Sequence, residues 1–511
     1  MQKIQRVLVS VSEKSGIVEL CSFLNQNGVE IISTGGTYSL LLENKIPAIE
    51  ISQYTNFPEM MDGRLKTLHP KVHGGLLNRE QDTNLMLEHE IQSIDLVIVN
   101  LYPFEETLAK TNDYSSIIEK IDIGGPSMVR STAKNHKYKT IITDTNDYKT
   151  LILHMEANKL EKGIFGTTLE FRKKMAGKAF ALTAYYDSII ANYFASQFEV
   201  SSEFKTLCFK NGKELRYGEN PHQKAKVYEN GGNAGGFLNF KQLGGKEMSY
   251  NNIKDAEASY NISSFFKEPT CAIIKHATPC GIACGDSIEE AYKLALESDS
   301  TSAFGGIVSV NAEVSEMLAV EISKHFFEVI IAPKFSEKAL EILTKKKNLR
   351  LLALPFAVSQ TLQQSIVSGG LLEQERDLVQ IDENSFEVKS GTMFNVQDAI
   401  FGFTAVRFLK SNAILITNGK SFVSFGSGQT SRIDSMRIAL QKMVEKGVDA
   451  SNCILSSDAF FPFKDNLELA YSFGIKNIIT PSGSIKDDEV IEEAKKLKIN
   501  LVFAKTRHFM H

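Results

Sequence analysis

The chain has 511 residues, too many for one hydrophobic core, so two to four domains are expected. Hydrophobic residues at 43% and charged residues at 23% are ordinary for a globular protein, while a net charge of −4 excludes a generally basic nucleic-acid binder and leaves only local cationic pockets for small anions. Six cysteines make no disulfide framework, Met1 leads into a strand-like segment without an apolar signal core, and no apolar run reaches the roughly 18 residues that span a bilayer, so a cytoplasmic protein with no membrane role is expected.

In chain order, Arg6 to Val11 reads as a strand, Gly16 to Asn25 as an amphipathic helix, Val29 to Ser33 as a second strand and Gly36 to Glu43 as a helix. Asp95 to Asn100 and Thr140 to Thr143 read as further buried strands, and the alternation implies a parallel sheet. Polar residues fall where these strands end: Ser10, Ser12 and Lys14, then Ser33-Thr34-Gly35-Gly36-Thr37, then Asn100-Leu101-Tyr102. Such ends share one sheet edge. Hydroxyls and two glycines before a helix can aim backbone N–H groups at a phosphate, although a simple N-cap after a tight turn gives the same pattern. Phe57 to Gly75, rich in turn residues and cations, reads as a loop that folds over a ligand, with Arg64, Lys66 and Thr67 offering phosphate and oxyanion contacts. Asp122, Tyr102 and Lys134 form an acid/base group if the sheet edge gathers them, and otherwise are a helix cap and surface charges.

The segments Ser10-Val-Ser-Glu-Lys14, Ser33 to Thr37, Gly63 to Pro70, Asn100 to Phe104, Ile121 to Gly125 and Lys134-Asn-His136 resemble the cyclohydrolase half of the AICAR transformylase/IMP cyclohydrolase family. The resemblance implies a methylglyoxal-synthase-like, Rossmann-type parallel sheet that closes FAICAR to IMP with loss of water. It implies a nucleotide bound by Ser10, Ser12, Glu13, Lys14, Thr34, Gly35, Gly36 and Thr37, its phosphate on Ser12, Lys14 and the Ser33 to Thr37 turn, with Arg64, Lys66, Thr67, Asn100 and Leu101 lining the base and Asp122 and Gly124 alongside. Lys134 matches the family's proton-transfer lysine, and Lys66, Tyr102 and Asp122 complete its catalytic set. Ring closure asks for such types, because a cation must stabilise the oxyanion while protons move between the carboxamide nitrogen and the departing water.

Leu169 to Phe198 reads as long helices with a structural role, and the pattern is lost at Glu199-Val200-Ser201-Ser202, which places a boundary near residue 200. The apolar run Thr270 to Ile274 reads as a buried strand, with Lys275 and His276 emerging at its C-terminal edge before the turn residues up to Gly281. An ammonium beside an imidazole supplies charge for an oxyanion and a base near neutral pH. Further strands are expected at Ile307 to Val310, Glu328 to Pro333, Ala413 to Thr417 and Ile478 to Thr480, with a helix opened by Gly426 to Arg432. Three phenylalanines between Asp458 and Asp465 suit either a core or a stacked flat heterocycle, and Arg507 to His511 is either a frayed tail or part of a site.

These later motifs resemble the transformylase half of the same family, so together the two halves cover nearly the whole chain: 1–200 for cyclohydrolase and 201–511 for transformylase. The resemblance implies an α/β region of two cytidine-deaminase-like units, a homodimer with shared transformylase sites, and formyl transfer from 10-formyltetrahydrofolate to AICAR. Lys275 and His276 become the catalytic pair, AICAR binding falls on Arg216, Tyr217, His276, Gly305, Glu328, Asn412 and Arg507, and folate contacts fall on Arg432, Phe460, Asp465, Ser484 and Ile485. The identity of any monovalent cation is left open.

Two rival readings differ in class. A zinc deaminase is suggested by Pro279-Cys280 and Cys284, but three residues separate the cysteines and Thr278 stands where that chemistry needs Glu, so no zinc is expected. A nucleotide-sensing regulatory module shares the phosphate edge, yet has no use for Lys134, Lys275 and His276 as proton-transfer groups.

Overall fold

The structure, a computed structural model, describes residues 1–159, 165–198, 203–231, 236–357 and 362–511. They form two compact units, Met1–Gly212 with Tyr228–Ala234, and Lys213–Val227 with Gly235–His511. The boundary expected near residue 200 lies at 199–202, outside the described residues. No helix among the described residues is long and apolar enough to cross a membrane.

The first unit is built on a five-stranded sheet in the order Ile49–Glu50, Glu30–Ser33, Arg6–Ser10, Leu96–Val99, Thr140–Ile142, all parallel. Its central strands bury Val7, Leu8 and Val9 and all of Leu96 to Val99, the signature of a sheet covered on both faces. One covering helix, Ile17–Gln26, buries Ile17, Leu20, Cys21 and Leu24 at helical spacing. The expected long helices are a single helix of 30 residues, Leu169–Phe198, which buries Phe171, Met175, Ala179, Tyr186 and Ile189. Every parallel strand in this sheet ends at the same edge.

The second unit centres on a twelve-stranded mixed sheet that contains one connectivity twice. In the first half the spatial order is Lys241–Gly244, Arg350–Ala353, Phe327–Ala332, Gly306–Val310, Thr270–Lys275, Thr278–Cys284. The second half mirrors it as Ser421–Gly426, Ile414–Asn418, Cys453–Ser457, Asn477–Pro481, Asn500–Ala504, Phe386–Ser390. Each half has an antiparallel hairpin, three parallel strands and an antiparallel edge strand, and the halves meet where Ala283 pairs with Ser421. The hairpins turn on two residues each, His276-Ala277 and Gly419-Lys420. Residues 278–281, expected as a turn, are therefore the start of a strand, because Lys275 pairs with Thr278 and folds the chain straight back.

This strand also separates the two cysteines of the zinc reading. Cys280 packs with Cys271, Ile273 and Val308, whereas Cys284 packs with Ala272, Ile274 and Ile282 in a different core. All six cysteines are buried and unpaired, and burial pushes the Cys280 and Cys284 thiols up to about 12. Among the described residues no group of three His, Cys, Asp or Glu side chains is placed to hold a metal.

At the N-terminal edge of the five-stranded sheet lies a buried lysine, Lys139, whose Nζ donates to Ser93 Oγ at 2.5 Å. Ser93 in turn donates to Asp95, whose other oxygen accepts from the Gln5 and Arg6 amides at 2.9 and 3.1 Å. Burial pulls the Lys139 ammonium down to about 8 despite the Asp95 charge. Because the folded-state pKa is below the unfolded value of 10.5, the penalty for burying the charge is full below pH 8 and gone above pH 10.5. Lys139→Met is expected to raise the unfolding free energy of this unit at pH 7 by roughly 1–3 kcal/mol. Denaturant melts across pH should show that gain shrinking toward zero as the pH climbs from 8 to 10.5, and a constant gain would contradict it.

Candidate active sites

The C-terminal edge of the five-stranded sheet opens into a cavity of about 740 Å³. Its walls come from Ser10 to Lys14 after one strand, Thr34 to Thr37 after the next, Asn100 and Tyr102 after the third, the loop around Glu59 to Thr67, and the turn Ile121 to Gly125. Thr34 is the N-cap of the helix Gly35–Glu43, but its hydroxyl pairs with Ser10 Oγ at 2.9 Å instead of capping the helix. The first amides of that helix therefore face the cavity without a side-chain cap. Two ammonium groups converge on the same turn: a Cβ at Gly36 would lie 3.1 Å from Lys14 Nζ, and one at Gly35 would lie 3.6 Å from Lys66 Nζ. Bare helix amides, the helix dipole and two cations make an anion cradle.

Asp122 and Tyr102 stand beside it. Asp122 Oδ1 accepts from the Gly125 amide at 2.8 Å, and its other oxygen occupies the space a side chain at Gly125 would need. Burial holds the Asp122 carboxyl above the ordinary carboxylate range, against the lowering influence of the Gly125 and Tyr102 amides and of the Lys66 charge. Tyr102 is likewise raised, by burial and by the charges of Asp122 and Glu59. Lys66 thus lies between the Gly35-Gly36 turn and a carboxylate, and Thr67, buried, packs against Gly124.

Several expected residues spend side-chain bonds or packing on the protein itself, among them Asn100, Thr37 and Arg64 of the cavity wall. Asn100 Oδ1 accepts from the Ser12 and Glu13 amides at 2.6 and 3.0 Å and its Nδ2 donates to Glu13 O, so it shapes the Ser12 to Lys14 turn. Thr37 Oγ1 is tied to the backbone of Val11, Glu13 accepts from the Ser15 amide, and Leu101 packs against Gly125. Arg64 forms an ion pair with Glu119. Lys134 does not join the group: it is exposed on the last turn of the helix Gly124–Lys134, whose first turn carries Gly124, and a helix rises about 1.5 Å per residue. Tyr186, from the long helix, was not singled out by its sequence, yet its hydroxyl accepts from the Asp122 amide at 2.8 Å and donates to Lys120 O at 3.0 Å. An aromatic at helical spacing carries no sign of that duty.

In the twelve-stranded sheet, strand directions gather the remaining residues on one edge: the C-terminal end of Thr270–Lys275, the N-terminal ends of Gly306–Val310, Phe327–Ala332 and Ile414–Asn418, and the C-terminal ends of Cys453–Ser457 and Asn477–Pro481. Lys275 Nζ donates to Phe304 O at 2.8 Å, and the Phe304 ring packs against Phe326 at a tilt of 44° with centroids 5.1 Å apart. Gly305, at φ 73°, donates its amide to Phe326 O. Glu328 accepts from Asn252 Nδ2 at 2.7 Å and lies 3.6 Å from Arg350, and the Arg216 guanidinium sits over the Tyr217 ring.

The second half supplies a separate cluster. Arg432, expected as a folate contact, is buried and committed: it donates to Asn412 Oδ1 at 2.9 Å, to Ser457 Oγ at 3.0 Å and to Ala413 O at 3.3 Å, and forms an ion pair with the fully buried Asp458. It orients Asn412 from behind. Of the three phenylalanines, Phe461 is core, Phe460 is half-buried and Phe463 is exposed. Asp465 starts a helix and accepts from Asn466 Nδ2, and Ser484 Oγ accepts from the Lys486 amide, leaving the neighbouring Ile485 fully exposed. The tail is ordered: the His508 amide donates to Asp458 O, its ring pairs with Asp377 at 2.5 Å, and Ser411 and Met510 exchange hydrogen bonds. Arg507 is exposed, with its guanidinium over the Phe509 ring.

Comparison with known proteins agrees with this layout. The family model described as AICARFT/IMPCHase bienzyme matches residues 132–442, and the MGS-like domain model matches residues 16–127. The bifunctional purine biosynthesis protein PurH of Lactococcus lactis subsp. lactis is 45% identical over 522 residues, covering 99% of this chain and all of that one. Its counterpart from Listeria monocytogenes serotype 4b is 48% identical over 518 residues with the same coverage, and that of a Thermoanaerobacter species is 45% identical over 515 residues. A family model spanning more than half of the residues, together with relatives matched over nearly their whole length, establishes that the chain belongs to the AICARFT/IMPCHase bienzyme family and begins with an MGS-like domain.

Proposed function

We propose that this chain, a bifunctional enzyme of purine biosynthesis that formylates AICAR and closes FAICAR to IMP, performs the ring closure in its first unit and the formyl transfer in its second. The observation that carries the first assignment is the convergence of Lys14 and Lys66 on the uncapped Gly35-Gly36 turn inside a cavity that also holds Asp122 and Tyr102. The turn and Lys14 take the nucleotide phosphate. Lys66 faces the oxyanion that forms as the carboxamide nitrogen attacks the formyl carbon, and Asp122 and Tyr102 move the protons that leave nitrogen and depart with water.

In the second unit His276 takes the proton from the AICAR amine as its nitrogen attacks the formyl carbon of 10-formyltetrahydrofolate, and Lys275 stabilises the tetrahedral oxyanion before the folate nitrogen leaves with a proton. The amine is a weak nucleophile because its lone pair is delocalised into the imidazole, so holding it against the carbonyl does much of the work. Formyltetrahydrofolate is the co-substrate of the family's transformylase. Arg216, Tyr217, Gly305, Glu328, Asn412 and Arg507 are the AICAR contacts of this reading, with Phe460, Asp465, Ser484 and Ile485 on the folate side. Lys275 and Ser484 sit at strand ends five positions apart, roughly 24 Å at normal strand spacing. That span, with Phe304, Phe463 and Ile485 exposed along the same edge, supports a homodimer in which a second copy completes each transformylase site. The two halves of this sheet are the cytidine-deaminase-like units of the reading, supported by their repeated connectivity. Six unpaired thiols support a reducing, cytoplasmic setting.

The test is product analysis of the purified chain with AICAR and 10-formyltetrahydrofolate. His276→Ala should stop formyl transfer and still convert supplied FAICAR to IMP, whereas Lys66→Ala should accumulate FAICAR. One site serving both reactions would lose both activities in either variant.

The placement of Lys134 outside the cavity makes a second expectation. Lys134→Ala should close FAICAR within about twofold of the wild-type rate, as surface substitutions remote from a site do. Loss of closure in a folded Lys134→Ala protein would mean that the lysine reaches the substrate after all.

The raised Asp122 carboxyl sets the pH dependence. As a base it works ionised, so ring closure should rise with pH through a limb lying above the ordinary carboxylate value. Asp122→Asn should remove that limb along with most of the rate, and an unchanged limb would assign it to another group.

A further inference from the structure

We propose that Asp255 is the positioning residue of the transformylase centre, holding His276 in a left-handed hairpin turn that its own sequence does not favour. The inference rests on the reading of Lys275 and His276 given above. His276 and Ala277 both have positive φ, 55° and 54°. Two-residue hairpins of this kind are normally built from Asn and Gly, because a Cβ crowds the following carbonyl in the left-handed region. His-Ala has neither remedy.

The missing preference is supplied from a neighbouring helix. Asp255 Oδ2 accepts from the His276 amide at 3.1 Å and Oδ1 from the Ala277 amide at 2.8 Å, so one carboxylate takes both N–H groups of the turn. The helix, Tyr250–Ser263, holds two further parts of the AICAR pocket with the same turn and a half. Asn252 donates to Glu328 at 2.7 Å while its oxygen accepts from the Ser249 amide, and Asn251 and Lys254 hold Glu219, three residues after Arg216, at 3.2 and 2.7 Å. Asp255 therefore sets where the imidazole stands relative to groups that its own helix also fixes.

The test uses the full-length enzyme and compares Asp255→Ala, Asp255→Asn and the double variant Asp255→Ala/Ala277→Gly. Formyl transfer in Asp255→Ala should fall on the order of 100-fold in kcat, the cost of displacing a reacting group by about an ångström, with a smaller change in KM for AICAR. FAICAR closure by the same protein should be unchanged, which shows that the first unit is intact, and an unaltered thermal unfolding transition of the second unit shows that the substitution leaves it folded. Glycine at 277 restores the left-handed turn without the clamp and should recover roughly tenfold of the loss. Amide exchange at 276 and 277 should quicken in Asp255→Asn, whose side chain offers one acceptor oxygen in place of two, so the two N–H groups no longer each meet an oxygen of their own. Wild-type formyl transfer in Asp255→Ala would overturn the inference, as would a double variant no better than the single one, since a proton-relay role is not repaired by a turn. If Asp255→Ala does not fold, Asp255→Asn and its exchange rates decide. His276→Ala run alongside keeps the two questions apart: retention of formyl transfer there sinks the assignment of His276, whereas its loss together with an unaffected Asp255→Ala sinks only the clamp.

Discussion

The backbone N–H and C=O groups of a sheet are used up in its ladders, so a ligand meets polar backbone and diverse side chains only where strands stop. In the first unit, parallel pairing makes Ser10, Ser33 and Val99 stop at one edge, and that edge is where the cationic turn, Asp122 and Tyr102 assemble. In the second unit the sheet is mixed, and the same outcome needs strands of opposite sense: Lys275 arrives at the edge as a strand ends, while Glu328 and Asn412 lie where strands begin. Everything assigned to chemistry depends on this sorting of chain ends.

Arg432 and Asp122 are withdrawn from water in different ways. Arg432 with Asp458 is a desolvated pair whose guanidinium also donates to Asn412, Ser457 and Ala413, which fits a frame that fixes one geometry. Among the described residues Asp122 joins no close ion pair: its hydrogen-bond partners are the Gly125 and Tyr102 amides, the Lys66 charge acts on it from nearby, and burial keeps its carboxyl easier to protonate than usual. A group held as Asp122 is can change protonation during a reaction at little structural cost, and one held as Arg432 is cannot. That difference separates Arg432 from the residues around it more clearly than its place in a Gly-rich motif does.

The parallel sheet of the first unit was legible because unbroken apolar runs such as Leu96 to Val99 have few other uses, and its edge residues followed from strand direction. The roles of individual edge residues were harder to read. Asn100, Arg432 and Ser484 have the chemistry of ligand contacts, but each spends hydrogen bonds on a neighbouring loop, and such partners are set by tertiary placement. Lys134 is near Gly124 in sequence and at the other end of its helix in space. Tyr186 and Asp255 left no local signal, since one is an aromatic on a helical stripe and the other an acid in the first turns of a helix. The hairpin at His276 was hidden for the reason that makes it informative, the absence of any residue that ordinarily builds it. The doubling of the second unit was hidden too, because it resides in connectivity.

That doubling puts a two-residue hairpin at the corresponding place in each half. In the second half the two-residue turn is Gly419-Lys420, where glycine takes the positive φ with nothing within 4 Å of the space a side chain would fill. In the first half an imidazole occupies the corresponding corner and a carboxylate from another element has to secure it. Descent of the two halves from one ancestral unit would account for the contrast: the copy relieved of chemistry could keep or regain an undemanding turn, and the copy that acquired a histidine became dependent on a distant acid. Substitutions at 255 and at 276 are then not independent events in the history of this enzyme, and a lineage that lost one would be free to lose the other.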